Sequence, residues 1–188
     1  MTLSTEEQTY LLRLAREAVV RAARGEDAPR VDLESVSQAL QRPGASFVTL
    51  NKRGALRGCI GSLEARRPLV LDVQDNAVGA AMRDPRFPPV KPKELDDLTI
   101  ELSVLSQPEP LLYEGARDLC EKLRPGVDGV VIECGWHRAT FLPQVWDKLT
   151  DERQFLQRLC MKAGLPPDAY ASGDVQVYVY QVQKFGEE

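Results

Sequence analysis

The sequence predicts an α+β protein with a mainly antiparallel sheet flanked by helices. Two segments have the pattern of β-hairpins, and helical segments with apolar residues at helical spacing interleave with the strands. The strands and helices do not follow a regular βαβ alternation, which favours an antiparallel sheet. A chain of 188 residues has the length of one domain, or of one domain carrying a small subdomain, so residues 1–188 are treated as a single domain.

The N-terminal half shows clear start and stop signals. Ser4-Thr5-Glu6-Glu7 has the pattern of a capping box and predicts a helix over residues 5–24. The patterns then predict a hairpin over residues 47–61 with a four-residue turn at 51–54, a helix at Leu69–Met82, an irregular proline-rich loop at Asp84–Pro89 and a strand at Leu98–Leu105.

The C-terminal half predicts a second hairpin and a long helix. A short helix is expected after Gly115, and strands are expected on both sides of a turn at residues 135–138. Thr150 is a candidate N-cap for a helix that ends at Gly164. The alternating segment Val175–Val182 predicts a terminal strand.

The composition argues against several classes of protein. There is no apolar signal segment and no run of about 18 apolar residues, so we expect a cytoplasmic protein with no membrane span and with reduced thiols. The cysteines, which lack Cys-x-x-Cys spacing, and a single histidine predict neither a disulfide nor a metal site; they are Cys59, Cys120, Cys134, Cys160 and His137. Nucleotide-binding motifs are absent, so no cofactor is expected.

The charge distribution is uneven along the chain. The net charge of −4 and the pI of about 5.2 argue against nucleic-acid binding. Residues 52–93 nevertheless carry nine Lys and Arg against four Asp and Glu, a net +5, and the remainder carries −9. This basic segment is either a site that attracts a small anionic ligand or a solvated face of mixed charge.

The stretch Leu-Arg-Gly-Cys-Ile-Gly is the most informative part of the sequence. Arg57 and Cys59 are two residues apart on a predicted strand and should share a face, where a guanidinium would favour the thiolate form of the cysteine. Gly58, Ile60 and Gly61 are candidate ligand-binding residues, because the glycines would leave the backbone open to a ligand. The alternative is that Cys59 packs in the core and the glycines mark a bulge.

Four further residues are considered for the site. Glu101 is a candidate general base or ion partner of Arg57, and its alternative is a solvated position on the strand. Asn76 either fixes a loop or contacts a ligand, and Arg86 in the proline-rich loop is a candidate ligand-binding residue. His137, next to a tryptophan in a predicted turn, is more typical of a surface position than of catalysis.

Several distinctive motifs lie along both halves of the chain. They are Phe47-Val48-Thr49-Leu50, Leu56-Arg57-Gly58-Cys59-Ile60-Gly61, Asn76-Ala77 with Ala80-Ala81, Asp84-Pro85-Arg86-Phe87-Pro88-Pro89, Glu101-Leu102-Ser103-Val104-Leu105, Phe141-Leu142-Pro143-Gln144-Val145-Trp146 and Cys160-Met161-Lys162-Ala163-Gly164-Leu165. Together they resemble the motifs of the AMMECR domain family, whose bacterial and archaeal members are also called AmmeMemoRadiSam system protein A. The resemblance extends from about residue 5 to about residue 185 and is specific.

The resemblance implies an α+β fold in two subdomains, one large and one small, with a cleft near residues 57–61. It implies no established activity, cofactor or catalytic residue. The name of the bacterial and archaeal members implies an association with a Memo-like protein and a radical-SAM protein. The turn at residues 135–138 departs from the family pattern, which weakens any role for His137.

Two functions remain open from the sequence. In the first, the chain is a binding module whose cleft holds a peptide or a small anion and presents it to partner enzymes. In the second, it is an enzyme in which Arg57 activates Cys59 as a nucleophile. The first is favoured, because no complete acid–base–nucleophile set is visible. In both cases Arg57 and Cys59 should line a cleft near the loop 84–89 and Glu101.

Overall fold

A computed structural model describes residues 2–187, which fold into two compact units. The first unit holds the chain up to Ser106 and again from Gln183 onward, and the second unit spans Gln107–Val182. Each unit has its own core of buried apolar side chains. Helices and antiparallel strands make up both units, as the sequence predicts, and the cleft implied by the family resemblance stays a prediction.

The elements alternate irregularly along the chain. The helices are α1 (Thr5–Ala23), α2 (Gln38–Gln41), α3 (Leu69–Met82), α4 (Gly115–Lys122) and α5 (Glu152–Lys162). The strands are β1 (Pro43–Lys52), β2 (Ala55–Gly61), β3 (Arg67–Pro68), β4 (Leu98–Leu105), β5 (Glu109–Pro110), β6 (Gly129–Cys134), β7 (His137–Phe141), β8 (Gln176–Tyr180) and β9 (Val182–Gly186). Within residues 2–187, no helix has the length and apolarity needed to cross a membrane.

The first unit is a sheet with helices on one face. Its strands follow the order β2-β1-β4-β9, and β3 pairs with the start of β1. Val48 and Leu50 on β1, with Ile100 and Leu102 on β4, are buried in the same core as α1 and α3. Because side chains alternate along a strand, the residues between them lie on the opposite face, which we call the outer face. Thr49, Cys59 and Glu101 lie on this outer face.

The first two predicted helices form as expected. Ser4 Oγ accepts a hydrogen bond from the backbone N–H of Glu7 at 3.2 Å, and the Glu7 carboxylate accepts one from the N–H of Ser4 at 2.8 Å. This capping box confirms the predicted start of α1. α3 spans Leu69–Met82, as predicted, and its small buried residues Ala77 and Ala80 allow it to approach the sheet closely.

The hairpin over residues 47–61 is confirmed, but its turn is shorter than predicted. The turn consists of Arg53 and Gly54, whose φ angles are 51° and 82°, instead of four residues. Two residues with positive φ match the twist of the paired strands, which makes the tight turn favourable. A β-bulge then shifts the register between Leu50 and Asn51 and leaves Arg57 as the extra residue of β2.

The second unit is a four-stranded antiparallel sheet in the order β5-β8-β6-β7, packed with α4 and α5. Its core contains the stacked rings of Trp146 and Phe155, with centroids 3.7 Å apart. Two predictions were wrong here. Asp151, whose side chain accepts from the N–H of Gln154, caps α5 in place of Thr150. The predicted single terminal strand is two strands, β8 and β9, which belong to different sheets.

Candidate functional site

Cys59 lies on an edge strand of the first unit and is half-buried. It is paired across the strands with Thr49, whose hydroxyl donates a hydrogen bond to Cys59 Sγ at 3.3 Å. The thiol is therefore held on the outer face by a neighbouring side chain.

The loop after α3 covers the free edge of β2 at Cys59. The Asp84 carboxylate accepts a hydrogen bond from the backbone N–H of Cys59 at 2.8 Å, and Arg86 Nη2 donates one to the Cys59 carbonyl at 3.3 Å. An edge strand exposes unpaired backbone groups, and here one acid and one arginine satisfy both groups of the same residue. The predicted proximity of this loop to Cys59 is confirmed.

Asp84 and Arg86 form a two-point ion pair. Arg86 Nε and Nη2 donate to the two carboxylate oxygens of Asp84 at 2.9 and 2.7 Å. Although the Asp84 side chain is only 2% exposed, the hydrogen bonds from Arg86 hold the pKa of its carboxyl well below the usual value. The same contact raises the pKa of Arg86. Both groups are therefore charged near neutral pH.

Arg57 pairs with a glutamate in the segment that precedes β4. Its Nε and Nη2 each donate to the Glu94 carboxylate at 3.1 Å, and Lys52 Nζ donates to the same carboxylate at 2.9 Å. These bonds lower the pKa of Glu94, with Arg57 as the main cause. The bulge interrupts the strand alternation from which a shared face with Cys59 was predicted. Activation of Cys59 by Arg57 therefore stays a prediction and no longer follows from spacing.

Glu101 has a different ion partner from the one considered in the sequence. Its carboxylate accepts from Lys184 Nζ at 2.9 Å, so it does not serve as the ion partner of Arg57. Thr49 pairs with Cys59 on one side and with Glu101 on the other. Cys59, Thr49, Glu101 and Lys184 thus form a polar row across four neighbouring strands.

The glycines beside Cys59 serve packing, which differs from the open backbone predicted for them. A Cβ atom on Gly58 would lie 2.1 Å from the carbonyl oxygen of Ala80 on α3. A Cβ atom on Gly61 would lie 2.2 Å from the ring of Phe47. Ile60 packs against the apolar core of the first unit. These three candidate ligand-binding residues are accounted for by close helix–strand and ring–strand contacts.

Asn76 is a buried part of a polar network at the start of α3. Its Nδ2 donates to the Ser46 carbonyl at 3.0 Å and to the Asp72 carboxylate at 2.9 Å. Asp72, which is 1% exposed, also accepts from the backbone N–H of Ser46 at 2.9 Å. The amide therefore fixes β1 against α3. A surface cavity of about 390 Å³ lies beside this network, lined by Gly61, Ser62, Leu63, Glu64, Arg66, Arg67 and Asp72.

His137 belongs to the second unit, where it ties a hairpin to the end of a helix. Its Nδ1 lies 2.8 Å from the carbonyl oxygen of Ala163, and a Cβ atom on Gly164 would lie 3.4 Å from the same nitrogen. Trp136, in the turn before it, is fully exposed. These contacts give His137 a structural role. The four cysteines have free thiols, and within residues 2–187 no three acidic, cysteine or histidine side chains converge as metal ligands.

The sequence analysis did not predict three residues as members of the site. Thr49 contacts the thiol, Asp84 holds its backbone, and Lys184 neutralises Glu101. Thr49 becomes identifiable only when the bulge is known, because the bulge moves its cross-strand neighbour by one residue. Asp84 was named only as the first residue of an irregular loop and as part of a family motif, without a role in the site. Lys184 lies on β9, a strand that the sequence pattern did not separate from β8.

The fold and the site together define an α+β protein in which a helix–loop segment covers an edge strand with the sequence Arg-Gly-Cys-Ile-Gly. The AMMECR1 family model matches residues 12–185, and the chain belongs to the AMMECR1 family. A protein of Methanothermobacter thermautotrophicus is 46% identical over 187 residues, which cover 99% of this chain and 97% of that protein.

Two further comparisons agree with the family assignment. Protein MK0488 of Methanopyrus kandleri is 40% identical over 190 residues, which cover 99% of this chain and 91% of that protein. The crystal structure of the uncharacterized protein PH0010 from Pyrococcus horikoshii matches with a TM-score of 0.74 at 37% identity. That match covers 95% of this chain and 90% of the other, so the α+β fold is shared along nearly the whole length.

Proposed function

We propose that this chain is a cytoplasmic binding module that holds a ligand at Cys59 and presents it to a Memo-like protein and a radical-SAM protein. The partners come from the family association and the reduced thiol fits a cytoplasmic location. The proposal assigns the ligand contact to Cys59 and the neighbouring outer face, with the loop at Asp84–Arg86 as the support that holds the strand in place.

The arrangement of Cys59 carries the proposal. Its backbone N–H and carbonyl are both bound by charged side chains, and its thiol accepts from Thr49. A solvated strand position does not require three such contacts on one half-exposed residue. Such contacts favour binding, because a residue that is already fixed loses less entropy when a ligand binds.

The neighbouring charged groups favour binding over catalysis. The hydrogen bond to the thiol comes from a neutral hydroxyl, which is a poor general base at neutral pH. Glu101 is bound by Lys184, and Arg57 by Glu94. The three candidate catalytic residues, Cys59, Arg57 and Glu101, therefore have separate partners.

Alkylation of Cys59 by neutral iodoacetamide tests the proposal when the modified peptides are quantified by mass spectrometry. Adding the purified Memo-like and radical-SAM proteins from the same organism should slow the modification of Cys59 by more than about threefold, because a docked partner covers the outer face. Cys134, a half-buried thiol of the second unit, serves as the internal control. Equal rates at Cys59 with and without the two proteins would contradict a role in presenting a ligand to them.

A cysteine-dependent enzyme is the second candidate, and the half-buried position of the Cys59 thiol, which leaves it reachable, favours it. In the same experiment without partners, this function predicts that Cys59 reacts faster than a free model thiol near neutral pH. Thr49→Val and Arg57→Ala should then slow the reaction while the protein stays folded. A rate equal to that of the model thiol, unchanged in both variants, removes the enzymatic function and leaves the binding proposal in place.

A further inference from the structure

The guanidinium of Arg86 is fixed in place, and one of its nitrogens has no acceptor among the described residues. Nε and Nη2 bind Asp84, and Nη2 also binds the Cys59 carbonyl. The hydrogen bonds of Arg86 within residues 2–187 therefore leave Nη1 for another acceptor. The Arg86 side chain is 54% exposed, whereas that of Asp84 is 2% exposed. A buried carboxylate thus holds an accessible cation beside the backbone of Cys59.

The guanidinium groups of Arg57 and Arg86 both lie near the ring of Phe87. The guanidinium carbons of Arg57 and Arg86 lie 5.9 and 5.5 Å from the centroid of the Phe87 ring. Arg57 Nη1 is buried and has no acceptor among the described residues. An enclosed N–H without an acceptor is costly, so this cluster has unused hydrogen-bonding capacity for an additional acceptor group.

The charges of the cluster favour an anion as that group. Lys52, Arg57 and Arg86 are in ion pairs with the two carboxylates of Asp84 and Glu94, so the cluster keeps one excess positive charge. It lies within the basic segment 52–93, which has a net charge of +5 in a chain of net charge −4. Excess positive charge at a half-buried site raises the local concentration of small anions.

We infer that the Cys59 site binds a small molecule through its carboxylate or phosphate group, and that Arg86 Nη1 is the donor that recognises this group. The inference rests on the proposed binding function and adds the chemical class of the ligand. Arg86 is the residue that contacts the anion. Asp84 acts through Arg86 as a positioning residue, because it fixes the guanidinium from its buried side.

Two alkylating probes that differ in charge test this inference. Iodoacetate carries the carboxylate and iodoacetamide does not. In both reactions the Cys59 thiolate forms a bond to the CH2 carbon while the C–I bond breaks and iodide is released to solvent. The test quantity is the rate constant for iodoacetate divided by the rate constant for iodoacetamide. At low salt this ratio should be about fivefold larger for Cys59 than for the uncharged thiol 2-mercaptoethanol. Arg86→Gln should return the ratio to that of the free thiol, and Arg86→Lys should retain part of the increase.

Arg66→Gln is the matched control, because Arg66 is 80% exposed and the change removes the same charge from the same unit. It should leave the ratio unchanged. Far-ultraviolet circular dichroism establishes that each variant is folded, and Arg86→Lys keeps the test valid if Arg86→Gln is not folded. Acetate and inorganic phosphate, compared at constant ionic strength, should slow the iodoacetate reaction, and the stronger competitor identifies the preferred group.

A ratio equal to that of 2-mercaptoethanol in the unsubstituted protein would overturn the inference. An equal decrease of this rate ratio in Arg86→Gln and in Arg66→Gln would also overturn the inference, since it would show a general effect of charge. Protection of Cys59 by the partner proteins is measured with neutral iodoacetamide and does not depend on this ratio. The anion inference can therefore fail while the binding function stands, and each outcome is visible separately.

Discussion

Replacing Gly58 with alanine is expected to lower the free energy of unfolding by about 3 kcal/mol or more, the upper range for overpacked sites. The new Cβ atom would lie 2.1 Å from the carbonyl oxygen of Ala80, where real Cβ atoms are not found. This neighbour is a backbone atom in the last turn of α3, so it cannot rotate away as a side chain would. The helix and strand β2 would have to separate.

Chemical denaturation of the purified variant measures this loss. The matched control is Gly186→Ala on β9, where the nearest atom to the new Cβ is 3.1 Å away. The control should lose clearly less stability than Gly58→Ala. If Gly58→Ala unfolds at the same denaturant concentration as the unsubstituted protein, then α3 does not contact β2 at this point and the description of the site's support is wrong.

Replacing Asp84 with asparagine is expected to destabilise the first unit by about 2–3 kcal/mol at neutral pH, because the backbone N–H of Cys59 and the guanidinium of Arg86 lose a charged, buried acceptor. Asp84 accepts from the N–H of Cys59 and from Arg86, and its side chain is almost fully buried. The variant should also loosen the strand at Cys59. Site-resolved alkylation should therefore become faster at Cys59 and stay unchanged at Cys134.

The same carboxylate predicts a dependence of stability on pH. Its folded pKa lies well below the unfolded value of about 3.9, so its contribution is complete above that value and is lost as the pH falls toward the folded pKa. The unsubstituted protein should lose stability steeply below about pH 4. Asp84→Asn should show a shallower loss in this range, although Glu94, whose pKa is also lowered, contributes to the slope in both proteins.

Asp97→Asn is the control for this prediction. Asp97 pairs with Arg53, which is 77% exposed, and such surface pairs contribute about 0–1 kcal/mol. The control should have little effect on the stability at neutral pH. It should also have little effect on the slope of the free energy of unfolding against pH in acid. An Asp84→Asn variant as stable as this control would show that the loop does not hold the edge of β2.

The sequence predicted the elements of the fold better than their edges. The ends of α3 and β4 were predicted correctly, because Pro68 directly precedes the first and strict alternation marks the second. The predicted turn was two residues longer than the observed turn at Arg53–Gly54, and the predicted cap of α5 lay one residue before Asp151. Adjacent positions there have similar local preferences, and only the tertiary contacts select between them.

The site was predicted in part, for a related reason. The segment around Cys59 and the loop that contains Arg86 were both identified, and the structure brings them together through Asp84. The pairing of Arg57 with the thiol was not obtained, because a single bulge breaks the period of two on which that inference depends. Local patterns report the spacing of side chains along a strand, and they do not report an inserted residue.

The most direct test of a ligand site at Cys59 is to identify what the protein carries when it is purified from its own organism. The tagged chain is isolated without denaturants, and the small molecules released on unfolding are measured by mass spectrometry. We expect a compound with a carboxylate or phosphate group in a fixed ratio to the protein, absent from Cys59→Gln and Arg86→Gln. It should be retained by Leu56→Gln, an exposed position on the same strand. A compound retained equally by all variants, or none above a control protein, would contradict a binding site at Cys59.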